Sequence, residues 1–207
     1  MLISDSHRFI FVHVRKSGGT SIRDSVEKLS NPINKSLGAK VKSRFLKLER
    51  DHRKYAYRFH EDINTVKQLM PDETFKSYFK FAFVRNPWSR LASEYEYIRR
   101  TPEHGRHAKL KQMEFSDFIK YQSRRKDAHQ INMLTDKNGN LQLDFVGKFE
   151  NLANDWKTVT DQLGIENIAL PHRNNAGIKN YDSYYTPETE KLVTRLWQRD
   201  IETFDYV

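Results

Sequence analysis

The sequence predicts an α/β fold, a central parallel sheet flanked by helices, and three observations carry that prediction. Residues 9–14 (FIFVHV) form a nearly continuous apolar run that ends in a glycine-rich turn, after which Ile22, Val26 and Leu29 recur at helical spacing. Residues 79–84 (FKFAFV) repeat the pattern and stop at Arg85-Asn86-Pro87, before a stripe of Leu91, Tyr95 and Ile98. A third unit lies within 141–164, where Leu141, Leu143, Phe145 and Phe149 precede Leu152, Trp156, Val159 and Leu163.

Each element has a local cause. A short unbroken apolar run is what a strand covered on both faces requires. The amino-terminal stretch MLISDSHRFIFVHV lacks a basic region, a long apolar centre and a small-residue cleavage site, so it reads as a first strand rather than a leader. Pro87 presets the backbone for the first turn of a helix. Gly164 suits the left-handed stop of the helix before it. Thr186-Pro187 opens a last helix with Leu192, Val193, Leu196, Trp197 and Ile201 on one side. There is no internal repeat and no Pro/Gly/Ser-rich linker, and 207 residues fit a single domain spanning 1–207. Residues 30–58 and 100–130 are polar and basic; they are expected to be partly loop and to carry elements that bind an acceptor.

Composition narrows the partners. The formal net charge is +9 and the pI about 9.6. That balance favours polyanions: nucleic acid, a membrane surface, an anionic cofactor or an acidic polysaccharide. Lys35 to Arg58 holds nine basic residues against Glu49 and Asp51, and a second basic cluster runs from Arg99 to Lys126. Solvated surface charge explains such clusters equally well. No stretch approaches the roughly 20 apolar residues that span a bilayer, so no stable membrane insertion is expected. The chain has no cysteine, which excludes thiolate catalysis and Cys-based zinc sites and fits a cytoplasmic protein.

Two motifs carry chemistry. The first, Arg15-Lys16-Ser17-Gly18-Gly19-Thr20-Ser21, lies between a predicted strand and a predicted helix. Adjacent glycines let the backbone turn tightly and approach a ligand, and the turn aims N–H groups from the positive end of the helix. Thr20 and Ser21 add hydroxyls and Lys16 a full charge, which makes an anion cradle; a tight connection would use the same glycines. The Walker loop G-x-x-x-x-G-K-[ST] places lysine after its last glycine, whereas here lysine comes first, so a nucleoside triphosphate with Mg²⁺ fits poorly. The second motif runs from Phe83 to Tyr95 (FVRNPWSRLASEY). Arg85 stands at a strand's carboxyl end, where ligands gather in open α/β sheets, and Ser93 follows on the next helix. Arg90, Ser93 and Tyr97 share one helical face by spacing. Arg85 with Ser93 makes a second phosphate site, or Arg85 serves only to cap the sheet edge. Two anion sites on neighbouring strand ends suit a nucleotide with phosphates at both its 5′ and 3′ positions.

With both motifs in view, the chain resembles the carbohydrate sulfotransferases of the sulfotransferase-2 type, a family with bacterial members and the animal enzymes that sulfate heparan and chondroitin. The first motif is similar to their 5′-phosphosulfate loop P-K-[TS]-[GA]-G-T-S, and the second to their 3′-phosphate motif R-x-P-x-x-R-x-x-S. The likeness extends through Asp144 to Gly164, Leu170 to Asn174 and Tyr181 to Tyr185, and it departs at Arg15, which stands where proline is usual. The resemblance implies a P-loop-containing three-layer fold, the donor 3′-phosphoadenosine 5′-phosphosulfate, and a carbohydrate or glycan acceptor, with an anionic glycan suited to the basic segments. It implies that Lys16 neutralises charge on the leaving phosphate oxygen, that Ser17, Gly18, Gly19, Thr20 and Ser21 hold the 5′-phosphate, and that Arg85 and Ser93 hold the 3′-phosphate. No metal is expected, since the histidines show no ligand spacing.

Transfer to a hydroxyl needs a base, and histidine titrates in the right range. His60 opens a helical segment (Ile63, Val66, Met70) and matches the histidine of family segments of the H-x-T or H-x-D kind, so it is the expected base; a helix-capping or core role is the alternative. His129, His172 and Glu150 are reserves, His13 reads as structural, and His7, His104 and His107 read as solvated. Two rival functions remain: a P-loop kinase, which would bind ATP with magnesium, and a basic nucleic-acid-binding module, for which the sequence offers no recognised motif.

Overall fold

The computed structural model describes residues 1–31, 52–166, 168, 170–171 and 180–206. Strands β1 (Leu2–Ser4), β2 (Phe9–Val12), β3 (Phe79–Val84) and β4 (Phe145–Lys148) form one sheet in that order. β2, β3 and β4 run parallel, and β1 pairs antiparallel with β2 through Leu2↔Phe11 and Ser4↔Phe9. The amino-terminal stretch is therefore a hairpin and not a single strand. The residues between, Ser4-Asp5-Ser6-His7, are turn formers; the Ser4 hydroxyl accepts from the His7 N–H at 3.2 Å, and Arg8 closes the turn in the left-handed region at φ 52°.

Ten helices of the described residues flank or extend the sheet: α1 (Gly19–Val26), α2 (Ile63–Leu69), α3 (Asp72–Ser77), α4 (Pro87–Arg100), α5 (His107–Leu110), α6 (Phe115–Ser123), α7 (Ile131–Leu134), α8 (Leu152–Leu163), α9 (Pro187–Leu196) and α10 (Gln198–Thr203). The period-2 alternation of β2 and β3 sorts the core into layers. Phe9, Phe11, Phe81 and Phe83 pack against Ile22 and Val26 of α1 and Trp156 and Val159 of α8. Ile10, Val12, Ala82 and Val84 face the opposite way, onto Ile63 and Val66 of α2 and Phe75 of α3. This is the three-layer, P-loop-containing arrangement, with helices on both sides of a mostly parallel sheet. A third cluster joins α4, α6 and α9 through Leu91, Phe118, Ile119, Val193 and Trp197. Each such fully buried side chain contributes roughly 1.5–3 kcal/mol.

Three expectations shift in detail. The third strand begins only at Phe145; Leu141 is exposed and makes an isolated bridge to Thr135. Residues 100–130 are more helical than expected, because Phe115, Phe118, Ile119 and Gln122 recur at i, i+3, i+4 and i+7 and are all buried. The last helix is two: Thr186 caps α9 with a reciprocal bond to Thr189, and Trp197, at φ −111°, ψ 21°, breaks the run before α10. Gly164 ends α8 in the left-handed conformation, as its position predicted. Among the described residues no helix is long and apolar enough to cross a membrane.

Candidate functional site

The first motif is the crossing from β2 into α1. Lys16 adopts φ 60° and Gly18 φ 78°, so the chain reverses direction within three residues and α1 starts at Gly19. A non-glycine residue in this region costs of order 1–3 kcal/mol, a strain the surrounding contacts must hold. Two of those contacts are visible. The buried Ser17 hydroxyl donates to the Val14 carbonyl at 3.0 Å, and the Lys16 carbonyl accepts from Arg85 Nη1 at 3.3 Å. The Ser17 side chain is thus turned into the loop, while Thr20 and Ser21 line the cavity above it.

Gly19 is required by its neighbour. A Cβ there would lie 2.1 Å from Cδ2 and 2.3 Å from Nε2 of the His13 ring. His13 is buried at the end of β2, so the ring has little room to yield. Gly19→Ala is expected to lower stability by about 1–3 kcal/mol through overpacking, read as a shift in the urea midpoint; an unshifted midpoint would show that His13 moves freely.

The second motif follows β3. Asn86 caps α4 by accepting from the Ser89 N–H at 3.1 Å, and Pro87 occupies its first turn. Arg85 leaves the strand end with Nε donating to the Ser89 hydroxyl at 2.8 Å, and its guanidinium lies 4.3 Å from the centre of the Phe149 ring. Burial lowers its pKa to about 10, with Glu150 opposing. Ser93, the seventh residue of α4, is 1% exposed, and its Oγ has no hydrogen-bond partner. A buried hydroxyl left unpaired costs about 1–3 kcal/mol, and an acceptor oxygen bound in the cavity could pair with it.

These residues meet in one cavity of about 680 Å³, within the usual range for a small-molecule site. Lys16, Gly18, Gly19, Arg85, Ser93 and His60 all line it. Phe149, Leu152, Trp156 and Leu170 make one end apolar. Lys16 Nζ sits 4.1 Å above the centre of the Tyr97 ring. Burial lowers the Lys16 pKa to about 8; Glu94 raises it and Arg85 adds to the lowering.

His60 reaches the cavity from the segment before α2, and Asp62, not His60, caps that helix by accepting from the Thr65 N–H at 3.0 Å. His60 Nδ1 lies 2.8 Å from the His13 carbonyl. A carbonyl only accepts, so Nδ1 carries the proton and Nε2 presents its lone pair. Burial lowers the pKa to about 4, against a raising effect from that hydrogen bond, so the ring is neutral near pH 7. A second cleft of about 460 Å³ shares Arg15, Phe59 and His60 with the first and continues past Arg58, Lys126 and Asp127.

The sulfotransferase family model matches residues 1–207. The chain belongs to the sulfotransferase family. It is 25% identical over 223 aligned residues to carbohydrate sulfotransferase 14 of Danio rerio, covering 93% of this chain and 54% of that protein, so it spans about half the length of this relative. An uncharacterized protein of Archaeoglobus fulgidus is 28% identical over 118 residues, which cover 56% of this chain and 92% of that one. Mouse sulfotransferase SULT7A1, solved in complex with PAP, shares the fold at a TM-score of 0.57 and 17% identity, over 97% of this chain and 86% of its own.

Two of the three reserve bases, His129 and Glu150, do not line the cavity. His129 Nε2 bonds the Ser123 carbonyl at 2.9 Å and its ring stacks on Trp197. Glu150 accepts from the Asn86 N–H at 2.8 Å and from the Tyr206 hydroxyl at 3.1 Å, which commits it to the start of α4. His172 lies outside the described residues, as does most of the basic segment 35–58. Among the solvated histidines, His104 is a correction: it is half-buried, lines the cavity and meets Tyr97 edge-on. Arg90 is another. It shares no face with Ser93 and Tyr97 toward the cavity, being fully buried with its guanidinium donating to the Ala128 carbonyl.

Sequence reasoning gave no role to Glu94 and Arg106, which also line the cavity. Arg106 Nη2 donates to Glu94 Oε1 at 2.9 Å. Burial raises the Glu94 pKa, but Arg90, Arg106 and Arg15 outweigh it and hold the carboxyl below its usual range. Glu94 could have been suspected from its place beside Ser93; Arg106 returns through a turn after α4 and carries no local signal. Arg15, in the place of the usual proline, has Nε 3.3 Å from Asp127. Among the described residues no group of three or more His, Cys, Asp or Glu could hold a metal ion.

Proposed function

We propose that residues 1–207 form a single sulfotransferase domain that moves a sulfuryl group from 3′-phosphoadenosine 5′-phosphosulfate to a hydroxyl of a carbohydrate acceptor. One observation carries the reading: a single cavity gathers a lysine, a glycine turn at a helix start, a strand-end arginine, an unpaired buried serine hydroxyl and a neutral histidine. The amides of Gly18, Gly19 and Thr20 and the hydroxyls of Thr20 and Ser21 would hold the 5′-phosphosulfate at the positive end of α1, where the Ser21 N–H is given to the Gly18 carbonyl at 3.1 Å. Arg85 and Ser93 would hold the 3′-phosphate, and the Phe149–Trp156 end suits the adenine ring. The Ser17 hydroxyl, spent on Val14, contributes by shaping the loop and through its backbone.

In the transfer, the acceptor oxygen bonds to sulfur as the sulfur–oxygen bond to the 5′-phosphate breaks. His60 Nε2 takes the hydroxyl proton, and adenosine 3′,5′-bisphosphate leaves with the bonding pair, its new charge met by Lys16. The acceptor would approach through the second cleft, which meets the donor cavity at His60. The family relative that acts on carbohydrate supports a saccharide acceptor.

The reading is tested by calorimetric titration of adenosine 3′,5′-bisphosphate with a metal chelator present. Binding is expected without metal. Arg85→Ala should weaken it by about 10- to 100-fold, the worth of charged hydrogen bonds. An unaltered dissociation constant would refute the 3′-phosphate assignment, and binding of ATP with magnesium in preference would refute the donor.

A further inference from the structure

Arg85 stands one residue beyond β3, where the sheet no longer offers a partner to its main chain. Its N–H donates to Gln130 Oε1 at 2.9 Å, and its carbonyl accepts from Gln130 Nε2 at 2.9 Å. One side-chain amide thus completes both main-chain hydrogen bonds of a residue the strand has released. Gln130 is 1% exposed and is itself fixed: its N–H and that of Ile131 donate to the fully buried Asp200 carboxylate, each at 2.9 Å. Asp200 belongs to α10, so the chain's last helix is linked through Gln130 to the strand end.

We propose that Gln130 is a positioning residue for recognition of the donor's 3′-phosphate, acting through Arg85. The inference rests on the donor reading above. A guanidinium at the end of a long side chain reaches one place only if its root is held, and a displaced root carries the fork away from the phosphate. The Arg85 side chain is held by Ser89, the Lys16 carbonyl and the Phe149 face; its main chain is held by Gln130. Glutamine is suited to the task because it supplies an acceptor and a donor in one plane. Glutamate keeps the acceptor and loses the donor, and alanine loses both.

The test compares two nucleotides that differ only in the 3′-phosphate. Adenosine 3′,5′-bisphosphate and adenosine 5′-monophosphate are titrated calorimetrically into the wild-type chain and Gln130→Ala. The variant is expected to bind the bisphosphate about tenfold more weakly, the scale of a small misplacement, while its affinity for the monophosphate stays near the wild-type value. A merely structural role would weaken both nucleotides alike, and that result, or an unchanged preference, overturns the proposal. If Gln130→Ala does not fold, Gln130→Glu, of the same size, carries the comparison with the same expected narrowing, and a preserved preference there overturns it equally. A wild-type chain with no preference for the bisphosphate would overturn the donor reading and this proposal with it. A wild-type preference that survives in the folded variants removes only Gln130.

Discussion

Lys16→Ala is expected to lower kcat by about 10²–10³-fold, while adenosine 3′,5′-bisphosphate affinity changes far less. The asymmetry follows from where the charge is needed. Under the proposed reading the ground-state 5′-phosphate would be met by several amides and hydroxyls of the α1 start, so one lost ammonium would be a small share of binding. In the transition state charge grows on the oxygen that leaves sulfur, and a stronger interaction there than in the ground state is what raises rate. Lys16 is suited to that by its left-handed backbone, which the Arg85 contact to its carbonyl helps hold, and by its half-buried place in the cavity lining. Single-turnover measurement with a labelled donor, beside calorimetry, separates the two effects. Equal losses in rate and affinity would make Lys16 a binding residue only.

His60→Ala should reduce transfer by about 10²–10⁴-fold, the usual contribution of a positioned base, and leave donor affinity intact. The wild-type pH profile carries a second signature. As the proposed base, His60 would work as the neutral ring, so kcat/KM should fall as the pH drops through about 4, where the ring takes up its proton. In the proposed role Lys16 would work as the ammonium, so the same parameter should fall as the pH rises through about 8. A bound donor places negative charge beside Lys16 and favours its protonated form, so the alkaline limb of kcat should lie above that of kcat/KM. Loss of the acid limb in His60→Ala, with the alkaline limb kept, would tie each limb to its residue. An acid limb that persists there assigns the base elsewhere, with Glu94 the carboxylate among the described cavity-lining residues.

What could be read from the sequence was whatever neighbouring residues decide among themselves. The β2–loop–α1 and β3–α4 units declare themselves through apolar runs, two glycines and Pro87, and the structure joins them side by side as parallel neighbours. Lys16, Arg85, Ser93 and His60 reach one cavity because strand ends and helix starts place them there. The hairpin of β1 with β2 was hidden because Leu2–Ser4 is three residues long and an apolar run does not reveal a reversal. Arg90 misled because helical spacing gives a face but not what covers it; the side chain is fully buried and donates to the Ala128 carbonyl, from a distant part of the chain. Gln130 with Asp200 was out of reach for the same reason, since that pair is made across the fold and not along a segment; of Glu94 and Arg106, only Glu94 left a local sign, its place beside Ser93.

The stretch from Asp127 to Gln130 touches both motifs at once. Asp127 meets Arg15 at the head of the glycine loop, the Ala128 carbonyl receives Arg90 and Trp197, and Gln130 grips Arg85. Under the proposed reading these four residues are a spacer gauge. They set one fixed separation between two anion sites, so a nucleotide is measured by the distance between its phosphates before any group reads its sugar. A residue inserted or deleted here would leave both sites chemically whole and mis-set the interval between them.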